Sequence, residues 1–178
     1  ETNVGAGLPV IHTLGDLVRS GDRVDRIEAV LSGTLNFVFN NYDGTRKFAE
    51  VVRQAQDEGY TEPDPRLDLS GTDVARKILI LARESGYKIE MEDISNNGFL
   101  PDSCLAGSVD DFYKELERHD DHFRGLLEKA AVQGLTLKYI ASFHDGQASV
   151  GLQSIGPDHN FANLSGKDNA VLFYTKRY

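Results

Sequence analysis

Asp73 and Lys77 stand four residues apart at the head of a helical stretch, so their side chains lie one above the other on one helix face. On an ordinary exposed helix such an ion pair contributes roughly 0.3–0.5 kcal/mol and does nothing else. Here the setting differs, because Glu62, Asp64 and Asp68 crowd the turn-rich segment just before it, beside Pro63 and Pro65. Packing alone gives no reason to gather so many carboxylates there. The concentrated negative charge favours an ammonium at Lys77 and equips it as a proton donor or as an anchor for an anionic oxygen. Glu62, between Thr61 and Pro63, sits on the stiff part of the loop and suits a substrate ammonium, although a solvated loop acid would read the same way. Asp64 before Pro65 is read as the former of an Asx-type turn. Asp68 either supports the site or caps the following helix, while Arg66 and Arg76 neutralise part of the charge.

A second constellation opens the chain, Glu1-Thr2-Asn3-Val4-Gly5-Ala6-Gly7-Leu8-Pro9. Its glycines permit close backbone approach to a ligand, or carbonyl groups turned inward to a cation. It is not the strand–GxGxxG–helix dinucleotide fingerprint, since Pro9 follows directly. No P-loop, HExxH or GxSxG is present, and the five histidines show no metal spacing. Cys104 reads as a small loop residue, and a lone cysteine rules out an internal disulfide.

The elements that must hold these groups follow from periodicity and punctuation. Pro9 suits a first helical turn, and Val10, Leu14, Leu17 and Val18 continue at helical spacing to Ser20-Gly21. Arg26–Leu31 reads as a buried strand, followed by a helix over Leu35–Tyr42 capped by Ser32-Gly33-Thr34 and another over Lys47–Glu58 that closes at Gly59. The two prolines predict an extended loop over Tyr60–Leu69, with Ser70 or Thr72 capping a helix that runs to Ser85-Gly86. Asp110–His119 and Asp121–Gln133 read as a helix pair. The last third is strand-like over Lys138–His144, Ala148–Ile155 and Asn169–Lys176, with Asp145-Gly146 as a hairpin turn. The expected fold class is α+β, a mixed β-sheet with helices packed on one face. Its other face would need a partner surface, which points to a dimer or a second domain.

With 178 residues, 40% of them hydrophobic, the chain is long enough for one domain with a real core. A net charge of −9 argues against nucleic acid or an anionic membrane as partner. The acidic start is no signal peptide, and no apolar run approaches the ~20 residues of a membrane span. A cytoplasmic protein is the expectation, and the ends, without an initiator Met and stopping on AVLFYTKRY, suggest a piece of something longer.

The run Ala55-xxx-Gly59-Tyr60-Thr61-Glu62-Pro63-Asp64-Pro65-xx-Asp68-Leu69-x-Gly71-x-Asp73-xxx-Lys77 resembles the signature of homoserine dehydrogenases at every fixed position. ETNVGAGLPVI, LSGTLNFVFN and KDNAVLFYTKRY resemble flanking segments of that family, so the likeness covers essentially the whole chain. The resemblance implies NAD(P)H-dependent reduction of L-aspartate 4-semialdehyde to L-homoserine, on the way to threonine, methionine and isoleucine. It implies Lys77 as general acid, Asp73 as its orienting partner, and Glu62 as the group that takes the substrate ammonium. Asp68 and Thr34 would support the substrate site, and Tyr60 would line it. Glu1 with the carbonyls of Val4, Ala6 and Leu8 resembles the family's monovalent-cation site, for sodium or potassium. The implied fold resembles the second domain of glyceraldehyde-phosphate dehydrogenase. The family's nucleotide-binding Rossmann domain has no counterpart in these residues, nor does the lysine which that domain contributes. NADP(H) or NAD(H) would then be held mainly by a covalently linked domain, and the chain would act as a substrate-binding domain that forms a homodimer through its sheet. Several segments also resemble versions fused to aspartate kinase. Alternative readings are a non-catalytic amino-acid-binding regulatory module and a purely structural dimerisation domain.

Overall fold

The computed structural model describes residues 3–177. Helix α1 (Val10–Arg19) begins after Pro9, and strand β1 (Val24–Val30) follows it. Ser32 then caps α2 (Gly33–Asn41) as the sequence predicts, its hydroxyl accepting the Leu35 N–H at 3.1 Å. Helix α3 (Phe48–Asp57) turns Phe48, Val51, Val52 and Ala55 inward. The proline segment is not extended throughout: Pro65 starts a single helical turn, α4 (Arg66–Leu69). Pro65 has a helical φ of −60°, which suits it to open that turn, so the expected loop shortens to the residues before it. Helix α5 (Thr72–Glu84) starts at Gly71, whose φ of +73° is left-handed, with no side-chain cap. Neither Ser70 nor Thr72 is therefore the cap residue, although the Ser70 hydroxyl lies 3.3 Å from the Thr72 N–H.

Strand β2 (Ile94–Asn97) is a four-residue element that periodicity does not reveal, because Ser95, Asn96 and Asn97 give it no apolar alternation. Helices α6 (Val109–Arg118) and α7 (Asp120–Val132) precede the hairpin β3 (Thr136–His144) and β4 (Gln147–Ile155), and β5 (Ala170–Thr175) closes the sheet. The hairpin turns at Asp145 and Gly146, both with positive φ, as the Asp-Gly pair requires. Strand order is β2-β4-β3-β1-β5, with β2 parallel to β4 and the remaining pairs antiparallel, so the sheet is mixed and the fold α+β.

Register assigns the two faces. Ile27 pairs with Phe143 and Ala29 with Ala141, and these four face the helices together with Tyr139 and Val150 in the main core. That core is rich in rings: Phe48 stacks on Phe123 at 4.2 Å and meets Tyr42 edge-on at 5.1 Å. The opposite face carries a smaller cluster of Val30, Ile140, Ile155 and Phe161 at one end, and Arg26, Glu28, Ser142 and Ser149 beyond it. Cys104 is buried within a 3₁₀ turn, and burial pushes its thiol up, as suits an inert packing residue. Among the described residues no helix is long and apolar enough to cross a membrane.

Candidate active site

Lys77 projects from α5 into the space between that helix and the end of β1. Its Nζ lies 2.6 Å from Asp73 Oδ2 and donates to the Leu31 carbonyl at 3.0 Å. An ammonium has three N–H donors, and these two contacts leave one for a ligand oxygen. The side chain is 16% exposed against 44% for Asp73, so the pair is held from the protein side and open on the other. This is more than a solvated i,i+4 pair, because a buried main-chain carbonyl fixes the lysine from a second direction.

The acidic loop is held by Asp68. Its Oδ2 accepts the Glu62 N–H at 2.8 Å, and its Oδ1 lies 3.1 Å from the Thr34 hydroxyl. Thr34, buried in the first turn of α2, also reaches the Tyr60 carbonyl, so one hydroxyl proton serves two acceptors. Asp68 thereby ties the loop to α2 and leaves the Glu62 carboxylate exposed above it. Burial pushes the Asp68 carboxyl up despite those hydrogen bonds, and the negative charges of Glu62 and Asp73 push the same way. A folded-state value above the unfolded one favours the fold below the unfolded value, and that contribution is lost as pH rises through the folded one. Asp68→Asn should therefore raise the thermal midpoint at pH ~7–8, with the advantage shrinking toward pH ~4, where the wild-type carboxyl also becomes neutral. Melting curves across that range check it; an unchanged or lower midpoint at pH ~8 would contradict the burial argument.

Glu62, Asp68, Asp73, Arg76 and Lys77 line one cavity of about 490 Å³, with Asn3, Ser70 and Thr72. Lys77 also lines a neighbouring cavity of about 690 Å³, walled by Gly5 to Leu8, Gly33, Leu164 and Lys167 to Asn169. It thus stands where the two meet. Two sequence candidates are placed differently from the rest. Thr34 stands one hydrogen bond behind Asp68. The Tyr60 ring packs at 4.8 Å on Phe37 with the Lys167 ammonium 4.6 Å above it, and Tyr60's carbonyl serves Thr34. Asp64 turns away: its carboxylate forks to Arg66 Nε and Nη2 at 2.8 and 2.6 Å and accepts the Arg66 N–H, the Asx turn the sequence suggests. The Arg66 guanidinium holds the Asp64 carboxyl below its usual range.

Sequence reasoning missed the segment from Leu164 to Asn169. Its anchor is Lys138, 2% exposed, whose Nζ donates to the Leu164 carbonyl at 2.5 Å and to Asn36 Oδ1 at 3.1 Å. Asn36 in turn donates to the Asp168 carbonyl at 3.0 Å, and Asn40 to that of Gly166 at 3.1 Å. The available signal was a lysine beside the apolar run Tyr139-Ile140-Ala141, which calls for acceptors at a distance in sequence. In the opening loop, Gly5 and Ala6 have φ of +79° and +53°, and the Val4 side chain is buried. The Ala6 carbonyl accepts from Asn3 Nδ2 at 2.7 Å and that of Leu8 from the Val10 N–H at 2.8 Å, leaving each one lone pair. Glu1, the charged member of the predicted cation set, lies outside the described residues.

The fold and site together define an α+β domain with a lysine ammonium held beside an anionic loop. A family model described as homoserine dehydrogenase matches residues 9–178. The whole chain is 45% identical to a chloroplastic bifunctional aspartokinase/homoserine dehydrogenase 2 from Zea mays, of which it covers 20%. It is 43% identical to the homoserine dehydrogenase of Paracoccidioides brasiliensis, covering 100% of this chain and 51% of that one. A solved homoserine dehydrogenase from Thiobacillus denitrificans superposes with a TM-score of 0.75 at 25% identity, over 99% of this chain and 37% of the other. The chain belongs to the homoserine dehydrogenase family. It spans about half the length of the fungal relative and about a fifth of the plant one.

Proposed function

We propose that this chain is the substrate domain of an enzyme that reduces L-aspartate 4-semialdehyde to L-homoserine. The observation that carries the reading is the Lys77 ammonium, fixed by Asp73 and the Leu31 carbonyl with one N–H left toward the cavities. Aldehyde reduction builds negative charge on the carbonyl oxygen, and a placed ammonium stabilises that charge and protonates it. Asp73 holds the ammonium in line and takes part in positioning the substrate oxygen. Glu62, exposed and held by its own N–H to Asp68, takes the substrate ammonium.

NAD(P)H, the reductant of homoserine dehydrogenases, supplies the hydride when bound. The larger cavity suits only its reacting end: the small residues Gly5, Ala6, Gly7 and Gly33 leave room beside Lys77. A Cβ on Gly33 would lie 3.0 Å from the Lys167 carbonyl, so a larger residue there would press on that backbone by a few tenths of an ångström. The rest of the nucleotide would be held by a covalently linked domain. A sodium or potassium ion held by the carbonyls of Val4, Ala6 and Leu8 with Glu1 would brace the opening loop. The sheet face carrying Arg26, Glu28, Ser142 and Ser149 is the surface proposed for a homodimer.

The test is calorimetric binding of L-homoserine to the wild type and to Glu62→Gln. Removing the anion should weaken binding by about 10–100-fold, the equivalent of a lost charge-assisted hydrogen bond. Equal affinity in the two proteins would contradict the assignment. The isolated 178 residues should show negligible NADPH oxidation with aspartate semialdehyde, and robust turnover would contradict the linked-domain reading.

A further inference from the structure

The head of α5 has no side-chain cap, yet Asp73 and Lys77 depend on where that head sits. What stands there instead comes from the sheet. Tyr139, on the helix-facing side of β3 and 2% exposed, directs its hydroxyl at the Ser70-Gly71 corner. That hydroxyl donates to Asn96 Oδ1 at 3.2 Å, and Asn96 Nδ2 donates to the Ser70 carbonyl at 2.9 Å. A Cβ on Gly71 would fall 1.8 Å from the Tyr139 oxygen and 3.3 Å from Asn96 Oδ1. The phenol therefore occupies the space above the Gly71 Cα, and the amide ties the preceding carbonyl to the edge strand. Contact from above and a tether from the side together fix the height of the helix start.

We propose that Tyr139 and Asn96 are positioning residues for the reduction, setting the head of α5 against the sheet so that Asp73 and Lys77 meet the substrate oxygen. The inference rests on the proton-donor role of Lys77 proposed above. Asp73 lies two residues beyond Gly71, so a shift of the corner moves its carboxylate directly and the Lys77 ammonium through it. Burial pushes the Tyr139 hydroxyl up to about 12, so it remains a neutral donor across any assay range. The strut also gives β2 a purpose: this short parallel strand, otherwise polar, supplies the amide that reaches Ser70.

The experiment compares steady-state kinetics of Tyr139→Phe, Asn96→Ala, the double variant and Lys77→Ala in the full-length protein. Phenylalanine keeps the ring contact with Phe99, 6.1 Å between centroids, so the core stays packed. Tyr139→Phe should lower kcat by about 10–100-fold, as displacement of a reacting group does. The KM for aspartate semialdehyde should stay within about threefold, because the Glu62 N–H is held by Asp68, which Thr34 of α2 anchors apart from the strut. Asn96→Ala should act in the same direction, and the double variant should fall little further than either single one. A merely structural role would lower the melting midpoint and leave kcat of the folded protein alone. If Lys77→Ala loses turnover while Tyr139→Phe and Asn96→Ala keep wild-type kcat, or if the two losses multiply, the strut is overturned. Undiminished turnover in Lys77→Ala would overturn the underlying reading instead. Should Tyr139→Phe fail to fold, Asn96→Ala at the sheet edge decides the matter alone.

Discussion

Replacing Lys77 by alanine should lower turnover by about 10²–10⁴-fold, the range a positioned general acid contributes. The expectation follows from the ammonium's geometry rather than from its charge alone. Two of its donors are committed, to Asp73 Oδ2 at 2.6 Å and to the Leu31 carbonyl at 3.0 Å, so the remaining one has a fixed direction. Alanine removes the donor and leaves Asp73 facing the site without its cation, which adds repulsion toward a developing alkoxide. Substrate affinity should change far less, because the proposed holder of the ammonium end, Glu62, lines the same cavity apart from Lys77. Steady-state kinetics with aspartate semialdehyde, alongside homoserine binding, separates the two effects. A variant that retains turnover, with or without weaker binding, would place Lys77 outside the chemistry.

Gly71→Ala should cost about 2–6 kcal/mol of folding stability. Two causes add. A non-glycine residue held at a left-handed φ, here +73°, costs roughly 1–3 kcal/mol. Forcing a methyl into occupied space costs about 1–3 kcal/mol more, and the Tyr139 oxygen, 1.8 Å from where that methyl would sit, leaves no room without movement. The phenol cannot retreat easily, since it lies in the core with Phe99 beside it. Chemical denaturation at neutral pH measures the loss, and a change below about 1 kcal/mol would show that the corner yields cheaply. Residual activity per folded molecule should also fall, because whatever yields moves the start of α5.

Most of the fold and much of the site are legible in the sequence, and the gaps have physical reasons. The helices over Val10–Arg19 and Phe48–Asp57 and the β3–β4 hairpin follow periodicity and turn chemistry, both local properties. Strand β2 does not, since its pairing with β4 depends on residues about fifty positions away and its side chains are mostly polar. The Asp73–Lys77 pair and the Asx turn at Asp64 are readable because each is settled within five residues. The double role of Asp68, holding both Thr34 and the Glu62 amide, needs the loop folded back on α2, so local sequence leaves support and capping equally open. The cap of α5 is misplaced by local reading for a related reason. A serine or threonine is the usual candidate, but Gly71 is demanded here by a tyrosine sixty-eight residues further on. The wall built by Leu164 to Asn169 rests on Lys138 and two asparagines from α2, a junction no single window of sequence contains.

The most direct measurement is a crystal structure of the protein with L-homoserine bound. The substrate hydroxyl oxygen should lie within hydrogen-bond reach of Lys77 Nζ, about 2.7–3.2 Å, with its ammonium on the Glu62 carboxylate. Homoserine seated elsewhere, or bound with its hydroxyl turned away from Lys77, would contradict the assignment of Asp73 and Lys77 as the proton-transfer pair.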